Sequence, residues 1–500
     1  MPTAASLNCP GRFERARLRD EDGIAILIAL IGLSLFSLIG LYMSFNSTTE
    51  LRVSDNYESR IQANYAAQAG LQHGRELLKG LNPNDLLVGP DGTYNNASGY
   101  MTTARTYAFR NLLDWPTARS VDITNPSISG ITDDGLLNTG KVGATNGTVL
   151  VPLTGIAQSV TNPYGSGTVI TSRYFVKVTD NNGEASELAA DPADNPFVDG
   201  DGVFIIRSMG IAQTIRESTG GVVRANSVAV YEARYKNKST FKLDSPLVIE
   251  GSNVQPSSPS MWNGNSFNIN GGANVGLSTI DTNTSDNNFP SSIVSNNLAK
   301  NQRNNIAGAN LTPSIADITN AVAADPDKAI LLDQNYLYNF AMNVVPQFAD
   351  SIYVGNQQWS GASAPYLGSY DYTKPYNDPS QDPKVVWVNG DCTMTSNMTG
   401  GGLLVVTGKL SMNGSLTYNG MILVIGGGDL DFAGLNNGVH GGTYVVNATN
   451  TNGTITFGTP KFSMSGNSNI TFDSNTINMA TRLIPPSQLS VREVTSAMDP

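Results

Sequence analysis

Apolar and polar positions follow three rhythms along this chain. The first is an unbroken apolar run. Gly23 to Phe45 reads GIAILIALIGLSLFSLIGLYMSF, with no charge. As a helix it spans about 35 Å, enough to cross a hydrocarbon layer of about 30 Å. It is too long for the core of a cleaved secretory signal, and Ser44-Phe45-Asn46-Ser47 is a poor cleavage site. The run is expected to be a membrane anchor carried by Ile24, Leu27, Ile31, Leu35, Leu38 and Phe45. The helix should continue, because Ser47 to Lys79 contains no Pro. Tyr57, Ile61, Tyr65 and Ala69 recur every four residues as one apolar stripe that drifts toward Leu77. Leu78-Lys79-Gly80-Leu81-Asn82-Pro83 then supplies a basic last turn, a Gly and a Pro, which is a stop signal. Residues 24–82 thus read as one transmembrane-plus-amphipathic helix, either an anchor with a stalk or a polymerisation helix.

The second rhythm has period two, over residues 84–250. Tyr174, Val176 and Val178 alternate with Arg173, Lys177 and Thr179, and Val203–Met209 and Ser227–Tyr235 read as further strands. An antiparallel sheet packed on the helix is expected. Between two of these strands lies an acidic loop holding Asp180, Asn182, Glu184, Asp199 and Asp201. Clustered oxygens of this kind suit Ca²⁺, but the spacing is not that of an EF-hand. A solvated acidic loop and a loop-stabilising Ca²⁺ site are the two readings.

The third rhythm is a repeat over 385–480. Val385-Val386-Trp387-Val388, Leu403-Leu404-Val405-Val406, Ile422-Leu423-Val424-Ile425 and Tyr444-Val445-Val446 recur at a period near 18–20 residues, each followed by turn formers. This fits a parallel β-solenoid, with a small antiparallel meander as the rival. The dense Ser, Asn, Gly and Thr of 251–308 read as a linker. Residues 309–384 read as a mixed helical and loop segment. In it Thr312-Pro313 opens a short helix, and a second helix runs through Leu331–Phe348 with a break near Pro346. Residues 481–500 read as a tail. The fold class expected is α+β: a long N-terminal helix, an antiparallel β region and a mainly-β, solenoid-like C-terminal domain.

Composition and charge narrow the function. Charged residues are 14% and there are 50 Gly, which favours strands and loops over helices. The net charge of −11 argues against nucleic acid as a partner. His73 and His440 lie in different regions, as do Cys9 and Cys392, so a shared metal site or an internal disulfide is not expected. Arg12, Arg15, Arg17 and Arg19 precede the anchor, which places residues 1–23 in the cytoplasm and the bulk outside. Asp391, Asp429, Asp431 and Asp473 are the acids of the repeat region. Asp429 and Asp431 share a strand face, but Lys409 and Ser411 stand one turn earlier, so these acids read as solvated surface groups and no catalysis is expected.

Residues Asp22 to Leu78 resemble the PilX N-terminal family of minor pilins. The features are the Arg-bearing leader, Gly23-Ile24-Ala25, the long apolar run, and Tyr65-Ala66-Ala67-Gln68-Ala69-Gly70-Leu71, which is similar to the family's Y-A-A-E-A-G-L. The resemblance implies cleavage after Gly23 by the prepilin peptidase and methylation of Ile24. It also implies partnership with other pilins, minor pilins and the inner-membrane assembly platform. Ile28 stands where most pilins carry a Glu that pairs with a neighbour's terminal amine, an absence shared with members of this family that suits the fibre tip. A non-enzymatic pilus-assembly subunit with no cofactor, held by membrane lipid and bearing an adhesive head, is the expectation. A pseudopilin-like type II secretion component and a membrane-tethered carbohydrate-binding protein are the alternatives.

Overall fold

The computed structural model describes residues 14–79, 158–161, 168–181, 202–216, 227–236, 241, 243–374, 378, 380–434 and 436–494, with backbone alone at 14–23. Helix α1 runs Glu14–Leu77, so it begins before Gly23 and ends ahead of the Gly80–Pro83 stop signal. Its second half lies on an antiparallel sheet formed by β1 (Gln158–Thr161), β2 (Thr168–Asp180), β3 (Val203–Arg216), β4 (Ser227–Lys236) and, beside β4, the C-terminal strand Ser487–Val494.

The stripe that meets this sheet is not the tyrosine stripe. Tyr57 and Tyr65 are 68% and 62% exposed, whereas Ala63 and Ala67 are fully buried. The reason is distance. A Cβ on Gly210 of β3 would come within 2.0 Å of the Ala63 carbonyl oxygen and 2.5 Å of the Ala67 nitrogen. The helix backbone rests on the strand backbone, and only small side chains fit between them. Periodicity finds a stripe of the right pitch but not which stripe faces inward.

The segment 481–500 is not simply a tail, because it supplies the fifth strand of this sheet. A row of charges crosses the last three strands, with Arg207 opposite Glu232 and Glu232 opposite Arg492. Arg207 Nη2 donates to Glu232 Oε2 at 2.9 Å, and Arg492 grips Oε1 through Nε at 3.0 Å and Nη2 at 2.9 Å. Arg207 and Glu232 are both almost wholly buried. Such a row sets register, since slipping the C-terminal strand by one residue would turn Arg492 to the other face.

Residues 243–484 form the head, inserted between β4 and that last strand. Residues 251–308 are built into it rather than linking to it. Gln255 pairs with Lys461, Asn268 with Asn469, and Leu277 with Leu247, all in parallel. Asn268 and Asn270 face outward around the buried Ile269, whereas Ser278 and Thr279 are buried. The helix expected from Thr312-Pro313 is instead a strand, Ile315–Asp317, paired with Leu277–Thr279, and the helix starts at Thr319. A free strand edge outweighed a local capping signal. Near Pro346 the chain makes a π turn, with the Val345 N–H bonded to the Phe340 carbonyl, before the helix resumes.

The path of the head is non-sequential. Strand β5 (Leu247–Glu250) pairs on one side with Leu277–Ile280 and on the other with Thr443–Val446. The chain therefore starts in the middle, coils outward to Ile315–Asp317 and returns through the helical segment to the far edge at Ser351–Val354. From there it coils back through Lys384–Asn389, Met398–Val406 and Leu416–Gly426 until it docks on β5. Gly402 faces Gly420 and Gly420 faces Gly441, so the repeat lengthens by three residues at the last step. Neither parallel sheet closes on itself.

The apolar runs that begin each repeat are continuous because both of their faces are buried. Val386, Val388, Leu404, Val406, Ile422 and Val424 point into one core, with Met394, Met412 and Phe432 opposite. Val385, Trp387, Leu403, Val405 and Leu423 point into a second core, covered by Leu337, Phe340 and Ala341 and by Ile477 and Ala480 of the helix Ser474–Arg482. Trp387 Nε1 donates to the Ala341 carbonyl at 2.7 Å, which satisfies the one polar atom of that ring.

Two predictions follow from these contacts. Glu232→Ala removes the carboxylate that both guanidinium groups contact within the sheet. It is expected to destabilise the chain by about 3–5 kcal/mol, measured by denaturant unfolding in detergent, and to raise hydrogen exchange in Ser487–Val494. Unchanged exchange there would rule out the row as the tie that holds the last strand.

Glu250 is fully buried at the seam with Thr443–Val446, and the Tyr444 hydroxyl donates to it. Burial pushes its carboxyl up to about 8 from an ordinary value near 4.5, while the Tyr444 hydrogen bond pulls the other way. The unfolded chain ionises this group above about 4.5 and the folded chain only near 8, so its contribution is full below 4.5 and is lost as pH rises toward 8. Melting curves of the native chain and Glu250→Gln should therefore coincide in acid and separate toward pH 8, with the variant higher. Parallel curves across that range would contradict the assignment.

Candidate functional site

Among the described residues, nothing packs on the apolar first half of α1. Of the described helices, Ile24–Glu76 alone is long and apolar enough to cross a bilayer, and its most apolar window is wholly unburied. Ile24, Leu27, Ile31, Leu35, Leu38 and Phe45 are each between 56% and 71% exposed. Burying a large apolar side chain contributes about 1.5–3 kcal/mol, so this surface represents tens of kcal/mol that only lipid or other apolar helices can recover. The few polar side chains conform to such surroundings. Ser34 Oγ donates to the Ile31 carbonyl at 2.8 Å, and Thr48 and Thr49 donate to the Phe45 carbonyl at 2.9 and 2.8 Å. Each hydroxyl is satisfied by its own helix.

The α1 backbone passes unbroken through Gly23. Ile28 is exposed and offers no carboxylate, so no charge lies in the apolar half.

The motif Tyr65–Leu71 divides between two surfaces. Ala66, Ala67, Gly70 and Leu71 are buried against the sheet, and Tyr65, Gln68 and Ala69 face outward. A Cβ on Gly70 would stand 2.1 Å from Ser208 Oγ and 2.9 Å from the Tyr174 ring. One turn on, His73 Nδ1 lies 2.6 Å from the Tyr174 hydroxyl, with the two rings edge to face. The helix end is then tied to the head. Arg75 Nε donates to the Pro486 carbonyl at 3.2 Å, its guanidinium lies 5.6 Å from the Phe348 ring centroid, and Lys79 Nζ lies 3.8 Å from Asp350.

The other sequence-derived positions separate. Asp180 ends β2, while Asn182, Glu184, Asp199 and Asp201 lie outside the described residues, and so does Cys9. Among the described residues, no three His, Cys, Asp or Glu stand together as metal ligands. Cys392 is a free thiol in the core, pushed up to about 12 by burial.

The repeat-region acids each hold a structural contact. Lys409 Nζ sits 3.9 Å from both Asp429 and Asp431. Ser257 donates to Asp429, and Ser463 donates to Asp431 at 2.6 Å. Asp391 accepts the Lys409 backbone N–H at 2.8 Å, and Asp473 caps the helix Ser474–Arg482 through the Thr476 N–H at 2.7 Å. Lys409, which stands one turn before Asp429 and Asp431, is their counter-ion. One cluster escaped sequence reading. Tyr372 lies flat on His440, with centroids 3.7 Å apart and planes 9° from parallel, and His440 Nδ1 is 4.0 Å from Asp473. Burial pulls the His440 pKa down, with Asp473 opposing, so the ring is neutral at pH 7. No local signal joins these residues, because the fold of the head alone brings them together.

Gly70→Leu should wedge the helix from the sheet and cost roughly 1–3 kcal/mol, whereas Gln68→Leu on the outward face should leave the melting temperature within error. Equal melting temperatures for the two variants would disprove the close seat.

No curated protein and no solved structure matches the chain. The family model described as PilX N-terminal matches residues 22–72, which contain both the exposed apolar half of α1 and the motif that seats it, so over this segment the chain carries the PilX N-terminal pattern.

Proposed function

We propose that the protein is a non-enzymatic, minor pilin-like subunit of type IV pilus assembly. The observation that carries this reading is α1 itself. Its apolar half is bare, its second half is locked to a sheet through Ala63, Ala67 and Gly70, and the family match covers both. A freely hinged anchor would need no such seat. A subunit that must stand upright beside others of like shape does.

On this reading the Arg-bearing leader stays in the cytoplasm and the rest of the chain is exported. The prepilin peptidase cuts after Gly23 and Ile24 becomes the methylated N-terminus. Within the inner membrane the apolar half lies among lipid and other pilin helices, delivered to the assembly platform. Ile28 brings no carboxylate to pair with a neighbour's terminal amine, which favours a terminal place in the fibre. The head, read as a parallel β-solenoid whose strands stack in register, then stands at the tip. The 18-residue spacing of its aligned strands supports that architecture.

N-terminal sequencing of the detergent-extracted protein is expected to begin at a methylated Ile24, and an intact Met1 would overturn the processing step. Deleting Gly23–Phe45 is expected to release the protein from the membrane fraction and to reduce surface piliation. Wild-type piliation after that deletion would overturn the assembly role.

A further inference from the structure

Each outer face of the head meets its surroundings differently. The face of Val385, Trp387 and Leu403 is covered by helices, and the face of Lys409, Asp429, Asp431 and Lys461 is ionic. Among the described residues, the third face carries no charge at its outward strand positions and is overlaid along one border by the loop through Tyr370 and Tyr372. It is made by the short runs Met398–Gly401, Leu416–Asn419, Gly438–His440, Asn469–Phe472 and Asn268–Asn270, paired in parallel about 4.8 Å apart. Met398, Leu416, Tyr418, Val439, Ile470 and Ile269 point inward. The alternate positions Thr417, Asn419, His440, Asn469, Thr471 and Asn270 point outward, a surface of amides, hydroxyls and one neutral imidazole.

This surface is shaped as well as polar. Above Gly438, an added Cβ would meet nothing within 4 Å, so a notch opens between Thr417 and Asn469. Asn268 Nδ2 donates to Asn469 Oδ1 at 3.0 Å, which fixes the amides in an ordered row. The loop through Tyr370 crosses one border, held where Asn419 Nδ2 donates to the Tyr370 carbonyl at 2.7 Å. It ends with Tyr372 flat on His440, two residues along the strand from Gly438, with the ring 48% exposed. The charges at this border are engaged, Asp371 with Lys374 at 3.9 Å and Asp473 with the helix it caps.

We infer that this face binds a neutral polysaccharide chain lying across the strands, with one sugar ring in the Gly438 notch against Tyr372. The chemistry selects that class. Sugar hydroxyls both donate and accept, and so do Asn and Thr side chains. The apolar face of a pyranose suits an exposed aromatic ring held rigid from behind. An anionic polymer would find no cation among the outward positions, and a protein partner would ordinarily bury an apolar centre that this face lacks. The site would supply a ligand for the proposed tip head and in that role rests on the pilus reading, but binding is a property of the head and is measured separately.

The test uses the full-length chain in detergent, passed over immobilised cellulose, chitin, mannan and dextran, with alginate as an anionic comparison. Retention is expected on at least one neutral polymer and not on alginate. Tyr372→Ala and Gly438→Leu should each weaken it by roughly tenfold. Tyr366→Ala, an exposed tyrosine on the Asp382 side of the loop, should leave it unchanged. Native melting curves for the variants tie any loss to the face. No retention on any neutral polymer, or undiminished retention by both face variants, would overturn the inference. Either result would leave the Ile24 and piliation measurements, and hence the pilus reading, where they stand.

Discussion

The close seat of α1 on the sheet is the constraint on which the rest depends. At Gly210 the strand passes so near the helix that backbone meets backbone. Contacts of this kind permit one depth and one rotation of the helix, since any larger side chain at Ala63, Ala67 or Gly70 would lift it away. Rotation decides which stripe is left over. With the small residues inward, Tyr57 and Tyr65 must face out, in line with the bare apolar half. The long helix thus has one edge fixed to its own domain and presents Tyr57 and Tyr65 on the other.

The second constraint is that the head returns to the sheet it left. The chain departs after β4 and comes back as the strand beside β4, with Arg492 gripping Glu232 across the join. An insertion with both ends anchored in neighbouring strands cannot swing as a terminal domain on a linker can. Arg75 and Lys79 reinforce this from the helix side, reaching Pro486 and Asp350. Within the head the same logic repeats at β5, where the first strand of the coil pairs with one of the last, Thr443–Val446. Closing such long-range pairs is entropically costly and slow. Once made, they tie the early strands of the head to its late ones through β5.

What could be read from the sequence was whatever depends on neighbours in the chain. The apolar run, the motif at Tyr65–Leu71, the strands around Tyr174 and Val203, and the repeat from Val385 onward are all local patterns, and each lies in an element of the matching kind. What could not be read depends on partners far away. Residues 251–308 look like a linker because their strands are two to four residues long, yet three of those strands pair with residues 461–471. Ser487–Val494 alternates only over Gln488–Arg492 and leaves Leu489 and Val491 about half exposed, since it lies at an edge and is held by a charge row. Tyr372 and His440 are brought together by the head's return path alone.

The outer surface of the head shows how a stack of parallel strands can divide its labour. Each step repeats the same alternation, so inward positions must be apolar whatever the outward ones do. That leaves the outward positions free to differ between faces at little cost to the core. One face continues the apolar pattern and is covered by Phe340, Ala341 and Ile477. The next sets Lys409 between Asp429 and Asp431, so its charges are paired within the face. The third carries uncharged amides and hydroxyls and is bordered by an aromatic ring braced on a neutral histidine. Burial accounts for the first pattern and ion pairing for the second. Neither accounts for the third, because charged side chains would serve solubility better than a bare row of Asn and Thr. A face kept flat, neutral and bordered by a half-exposed tyrosine is what contact with a hydroxyl-rich chain requires.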